Sequence, residues 1–318
     1  MVALLDFGER SNSLMGAKSS KKRLSARLIT VAAGNLLPCW EFTARGIVKN
    51  IGAEEYCVVV PHEHVEAFER KSPPGFLVLS EDHVLPGASQ EILKRLPPSL
   101  AFRSGWYLQQ LLKLEMLRTS RDFEYSIIWD ADTLPLRRIR LIGNDGKILL
   151  ATSGEFHEPY FDQIEPLLGM KRVVDRSFVA QYIVVARQWQ QDLFEFFSRS
   201  GFPEEHFIEL IFEAVDFKEF SGFSEFELIG TWITNEYPSD FEWASQPWSR
   251  FGRRMVNSPR VASWFPVNQF LGLRYSYLSF EMWDKAPAVL DFCYRAFRAF
   301  KVRAREFLRW LPAVDDRK

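Results

Sequence analysis

The chain has 318 residues, of which 47% are hydrophobic and 25% charged; this excludes a disordered or collagen-like polymer and suits one large α/β domain, or a core with a small appendage. A net charge of −1 gives no basic field for nucleic acid, and no apolar run approaches the ~18 residues of a membrane span. Cys39, Cys57 and Cys293 are too few and too far apart for a disulfide framework or a cysteine zinc site, so a reducing cytoplasmic setting is expected. The opening MVALLDFGERSNS lacks the charged-then-apolar order of a secretory leader. Aromatics make up 15% of the chain, with 28 Phe and 10 Trp, which points to a thick core, a carbohydrate-binding surface or a membrane-facing one.

Residues 1–27 are polar, end in Lys18, Lys21, Lys22, Arg23 and Arg27, and are expected to form a flexible basic arm. The run LITVAAGN from Leu28, followed by Pro38, predicts a strand, a loop and a helix start. CWEFTARGIVKNIG has helical spacing and stops at Gly52. YCVVVP (56–61) and GFLVLSED (75–82) predict two further strands, and SGWYLQQLLKLEML (104–117) a helix with a broad apolar stripe. EYSIIWDADT (124–133) predicts a strand that runs into two acids, and KILLATS (147–153) another strand. This alternation argues for a mostly parallel sheet with helices on both faces, whose ligands sit at the carboxyl ends of the strands. From about 188 the pattern turns helical. The aromatic, Pro- and Gly-containing stretch 237–286 has no clear period and either completes the sheet or forms an acceptor-side subdomain, and 287–311 reads as one helix.

Ile127-Ile128-Trp129-Asp130-Ala131-Asp132 carries the strongest chemical signal. A buried strand delivers two carboxylates, at i and i+2, to the sheet edge. Mg²⁺ and Mn²⁺ favour such oxygen ligands, usually one or two carboxylates completed by substrate phosphates, and a leaving diphosphate needs that charge neutralised. Asp-x-Asp also occurs in plain surface turns; the apolar run before it and the α/β pattern around it favour a site.

At these residues the chain resembles the GT-A glycosyltransferases, in which a strand ending in Asp-x-Asp holds Mn²⁺ or Mg²⁺ and a nucleotide sugar. It is more closely similar to a bacterial family of unknown function considered glycosyltransferase-like. The stretches that carry the likeness are GWYLQQLLKL (105–114), IIWDADTLPLR (127–137), VDRSFVAQYIVVAR (174–187) and FSEFELIGTW (223–232). They span roughly 100–235; the first hundred residues match in pattern only, and the likeness does not place the tail past 240. The resemblance implies a GT-A-like domain over 28–286, metal-assisted sugar transfer from a nucleotide-diphosphate sugar to a glycan or glycolipid hydroxyl, and a role in polysaccharide biosynthesis.

Other residues are weighed beside the acid pair. Gln109 and Lys113 share a helix face, either a solvated polar stripe or a partner for a diphosphate, and the resemblance favours Gln110 and Lys113. Gly154 would let a ligand approach the backbone, and His157 beside it would face acceptor or metal unless it is simply solvated. The resemblance places Ser177 and Gln181 toward the donor sugar. Ser224 and Glu227 fit the capping box S-x-x-E, which leaves Glu225 free; by resemblance Glu225 or Glu227 would be the carboxylate base on an acceptor hydroxyl. No histidine follows His206, so the late metal-binding histidine of many GT-A enzymes is absent.

In 287–318, Cys293, Phe297, Phe300, Ala304, Phe307 and Leu311 form one stripe, with Arg295, Arg298, Lys301, Arg305 and Arg309 mostly opposite. That pattern fits a terminal helix docked on the core, or an interfacial helix giving peripheral membrane contact through 288–311 at the inner face of the membrane. Two rival functions stand beside sugar transfer: a non-catalytic nucleotide-sugar or glycan-binding protein of the same fold, and a nucleotidyltransferase-like phosphate-handling enzyme. The second would need a glycine-rich basic loop, where Ala32-Ala33-Gly34-Asn35 has one glycine and no base.

Overall fold

The computed structural model describes residues 24–199 and 203–292. The chain runs through β1 (Leu24–Val31), α1 (Leu37–Asn50), β2 (Ala53–Val60), α2 (Val65–Lys71), β3 (Phe76–Ser80), α3 (Glu81–Val84), α4 (Ala88–Arg95) and α5 (Ser104–Arg118). It continues through β4 (Tyr125–Trp129), β5 (Thr133–Pro135), β6 (Ile148–Leu150), α6 (Glu158–Leu168), β7 (Tyr182–Ala186), α7 (Arg187–Ser198), α8 (Phe207–Ala214) and α9 (Glu225–Glu236). The last part holds β8 (Phe241–Trp243), β9 (Trp248–Ser249), α10 (Gly252–Val256), α11 (Pro259–Ala262), α12 (Phe265–Arg274) and β10 (Tyr277–Ser279).

The result is a mixed α/β fold with a central sheet flanked by helices. The sheet order is β3-β2-β1-β4-β7, parallel except for β7, which runs antiparallel to β4. Its inner strands are covered on both faces, which is why they read as unbroken apolar runs: Leu28, Ile29, Val58, Val59, Ile127, Ile128 and Val184 are all fully buried.

The expected elements are refined in three places. The sheet begins at Leu24 rather than Leu28, and Arg27, expected in the arm, is a strand residue that pairs with Glu55 at 2.6 Å. The strand expected over 147–153 is Ile148–Leu150, and it pairs with β8 outside the central sheet. The stretch 237–286 does not extend the central sheet: β9 and β10 join β5 in a small second sheet, order β5-β10-β9. Residues 1–23 of the expected arm, and the helix pattern past 292, lie outside the described residues. Among the described residues no helix is long and apolar enough to cross a membrane.

Helix α9 lies tight on the segment before β7. A Cβ on Gly230 would fall 2.0 Å from the ring of the buried Phe178, so only glycine admits that ring. Gly230→Ala is therefore expected to destabilise the fold by about 1–3 kcal/mol, measured by urea unfolding. An unchanged midpoint would show that Phe178 has room to move.

Candidate functional site

Strand β4 ends at Trp129, whose buried ring stacks on Tyr182 at 5.1 Å and whose indole N–H donates to the Thr133 carbonyl at 2.8 Å. That anchor fixes the turn over Asp130, Ala131 and Asp132, which the Thr133 N–H closes onto the Asp130 carbonyl at 3.0 Å. The chain then leaves as β5, and antiparallel pairing sets Ser279 of β10 opposite Thr133. The Phe280 N–H donates to the Asp132 carbonyl at 3.0 Å, which brings Glu281 to the acid pair from far along the chain.

Asp130 and Asp132 line one polar pocket of about 490 Å³ at the carboxyl edge of β1 and β4. Glu155, Glu225, Glu281, Lys113 and Arg250 share its wall, with Trp106, Tyr160 and Trp283 as aromatic surfaces. Lys113 is buried between two carboxylates, donating to Asp130 Oδ1 at 2.5 Å and to Glu225 Oε1 at 2.6 Å. Burial works against its charge, but Asp130 and Glu225 outweigh it and hold the ammonium above its ordinary range.

Asp132 accepts from the Ser279 and Thr133 hydroxyls, both at 3.3 Å. Burial, then the charges of Asp130 and Glu281, push its carboxyl up to about 7, and the two hydroxyls only partly oppose this. Glu281 is also raised, by burial first, with Arg250 opposing. Arg250 bridges the acids, reaching Glu155 with one nitrogen and Glu281 with another at 3.1 Å, while the Trp283 indole N–H donates to Glu281. Five carboxylates and two embedded cations thus converge on one pocket, a concentration of charge that marks a candidate functional site.

Gln181 ties the two sheets together. Its φ of 72° puts a non-glycine residue in the left-handed region, which the surroundings must enforce. The enforcing contacts are several. Its carbonyl accepts from the Asp130 N–H at 2.9 Å, its side-chain oxygen shares with Asp132 the single protons of the Ser279 and Thr133 hydroxyls, at 2.9 and 3.1 Å, and its amide donates to Glu281 at 3.3 Å.

The other sequence candidates divide. Gln110 lines the pocket, but its side-chain oxygen is occupied by the Glu225 N–H at 3.1 Å, at the start of α9. Glu225, expected to be free, is instead buried against Lys113, and burial raises its carboxyl despite that partner. The capping box is only half formed. Ser224 accepts from the Glu227 N–H at 3.4 Å, but the Glu227 carboxylate turns to the Ser177 hydroxyl at 2.5 Å and the Phe178 N–H at 3.2 Å. Glu227 and Ser177 thus stand behind the pocket wall and brace the segment leading to Gln181. Burial pushes Glu227 up to about 7, against those two donors. His157 stands outside the pocket too; its Nε2 donates to the Ser221 carbonyl at 2.9 Å and holds the loop before α9. Gly154 is exposed, in a neighbouring groove with Arg176 and Trp248.

Glu281, Arg250, Glu155 and Trp283 were not found from the sequence. Arg250, Glu281 and Trp283 lie in the aperiodic stretch after 237 and reach the pocket through the small β5-β10-β9 sheet, while Glu155 comes from the loop between β6 and α6.

The donors present fit a Mg²⁺ or Mn²⁺ that keeps most of its shell on water and substrate. Asp130 and Asp132 offer two hard oxygen donors into one pocket, and a cation would relieve the repulsion that raises Asp132. Among the described residues no three His, Cys, Asp or Glu side chains form a cage of their own.

Residues 44–195, just under half of the chain, match the family described as "Family of unknown function (DUF6492)". No curated protein matches the chain. Solved structures similar to it are glycosyltransferases. Mouse xyloside xylosyltransferase 1 is 12% identical at a TM-score of 0.42, over 82% of this chain and 99% of that one. The galactosyltransferase LgtC, solved with donor and acceptor sugar analogues, is 12% identical at 0.42, over 80% and 86%. The bifunctional glycosyltransferase WbbM is 13% identical at 0.42, over 82% of this chain and 46% of that one.

Proposed function

We propose that this chain is a GT-A-like glycosyltransferase that moves a sugar from a nucleotide-diphosphate sugar to a hydroxyl of a glycan or glycolipid. The observation that carries this reading is the convergence of Asp130, Asp132 and Glu281 with Arg250 on one polar pocket at the carboxyl edge of the sheet. Carboxylates in that number hold a cation better than they hold an anion directly, so a diphosphate enters such a pocket together with a divalent metal. Asp130 and Asp132 would hold the Mn²⁺ or Mg²⁺, whose chemistry is to stabilise charge on the leaving diphosphate.

The chain's own residues do the rest. Lys113 fixes the Asp130 carboxylate in place. Ser279 and the Phe280 N–H hold Asp132 against β10, and the Gln181 carbonyl holds the Asp130 N–H. Arg250 orients Glu155 and Glu281 around the opening. Trp106, Tyr160 and Trp283 give flat apolar faces of the kind that pack on sugar rings. Of the two candidate bases, Glu225 lines the pocket and Glu227 does not, which supports Glu225 as the base on an acceptor hydroxyl. Its Lys113 partner must loosen for it to take a proton.

The test is a thermal-shift screen of UDP-, GDP-, CMP- and dTDP-sugars, with and without Mn²⁺, on the wild type and Asp132→Ala. A ligand bound only to the native state at a hundred times its Kd adds about 2.7 kcal/mol of apparent stability. We expect a shift for one nucleotide class that needs Mn²⁺ and is lost in Asp132→Ala. No shift for any donor would sink the reading. A shift without metal-dependent donor hydrolysis would favour the non-catalytic binding protein.

A further inference from the structure

Helix α12 leaves its apolar side in water. Among its residues are Phe265, Pro266, Val267, Phe270, Leu271 and Leu273, yet only Leu271 is buried. Phe265 is 78% exposed, Phe270 75% and Leu273 82%. Pro266, Phe270 and Leu273 fall at i, i+4 and i+7, which is a single stripe. The stripe borders a groove of about 740 Å³ shared with α10, walled by Met255, Val256, Val267, Leu271 and Tyr275, with Arg274 as its charged member. An apolar patch of this kind on a folded surface marks a contact with something else.

Charge says what that something is. From Arg250 to Phe280 the chain has five arginines, at 250, 253, 254, 260 and 274, and no Asp or Glu. Arg250 is turned into the pocket, and Arg254 pairs with the buried Asp284 at 2.8 Å while its own side chain stays 57% exposed. Arg260 and Arg274 lie over the Phe42 and Tyr275 rings. The charge pattern also disfavours residues 293–318 as the occupant: they carry eight Lys and Arg against three Asp and Glu, the same sign as this face.

We propose that the exposed face of α12 is a membrane-docking surface. It would seat Phe265, Phe270 and Leu273 among the acyl chains of an anionic bilayer, with Arg260 and Arg274 at the headgroup phosphates. Phe251, which opens α10, meets Trp283 edge-on at 5.9 Å, and Trp283 lines the polar pocket, so the docked face runs on to the pocket mouth. The proposal stands on exposure and charge and does not depend on how the pocket is read.

The experiment is co-sedimentation of the full chain with vesicles of phosphatidylcholine alone and with vesicles that also contain phosphatidylglycerol. The wild type is expected to partition onto the anionic vesicles and to lose that partition at high salt. Phe270→Ser/Leu273→Ser should weaken it at least ~10-fold, and Arg260→Gln/Arg274→Gln about fivefold per charge removed, with the serine pair at wild-type Tm because Phe270 and Leu273 are exposed, as Arg274 is, while Arg260 is half-buried over Phe42. Should the serine pair lower Tm, the arginine pair decides alone. Wild-type partition by both variants would overturn the proposal, since another surface would then carry the binding. So would a wild type that ignores both vesicles, or a wild-type dimer that the serine pair splits without any vesicle binding.

Discussion

Lys113→Met is expected to remove about 3–5 kcal/mol of stability, the cost of breaking a buried ion pair from one side. Methionine fills nearly the same volume, so little of that loss comes from packing. The loss comes from Asp130 and Glu225, which share the ammonium at 2.5 and 2.6 Å and would face each other without it. For a chain of this size the loss lowers Tm by on the order of 10 °C. Two controls identify the cause. Glu225→Gln in the Lys113→Met background should recover part of the loss, giving a coupling energy that independent sites do not show. The deficit should also shrink at acid pH, because Glu225, already raised by burial, loses the Lys113 charge that opposes that shift, and a group with a raised value contributes its stability below its ordinary range and loses it as the pH climbs. A Lys113→Met variant within about 1 kcal/mol of wild type at every pH would show that the acids find other partners or water.

The same residue shows where sequence reasoning stops. Helical periodicity puts Gln109 and Lys113 on one face of α5, and a polar face normally meets solvent. Here it meets Asp130 and the start of α9, so the lysine that period left between a solvated face and a ligand partner is buried in an ion pair. Period alone does not separate the two cases, because both present a polar stripe opposite leucines. What separates them is the set of acids facing the stripe, and those come from elements far along the chain. The acid pair itself was legible, because an apolar run ending in Asp-x-Asp has a local cause: a buried strand reaches the sheet edge and stops. The N-cap Ser224 was legible for a similar local reason, although its partner Glu227 turned to Ser177 instead. Glu281 and Arg250 had no such local cause. They reach the pocket through β10 and its pairing with β5, which the irregular, aromatic stretch after 237 does not announce.

Asp132→Asn should separate stability from function at the pocket floor. The Asp132 carboxyl is raised from 3.8 to about 7, by burial and by Asp130 and Glu281. A group raised in the fold contributes stability that is fully present below its ordinary value and lost as the pH rises through the folded one, so Asp132 weakens the native state between about pH 4 and 7. Asparagine keeps the neutral form at every pH and still accepts from Ser279 and Thr133. At pH 8 the variant is therefore expected to be more stable than wild type by about 1–3 kcal/mol, the pocket opening screening part of the effect. At pH 4 the two should coincide. Mn²⁺ is expected to stabilise the wild type at pH 8 and to leave the variant unmoved, because the acid pair would then offer one charge instead of two. Metal-dependent donor turnover should fall on the order of 10²–10³-fold, as it does when one preorganised electrostatic group is removed from a reacting centre. A site that evolved only for stability would not hold three repelling carboxylates together, and gain of stability with loss of activity is the mark of strain kept for function. If instead Asp132→Asn unfolds more readily at pH 8, or turns over donor at the wild-type rate, the acid pair is structural and the reaction centre lies elsewhere.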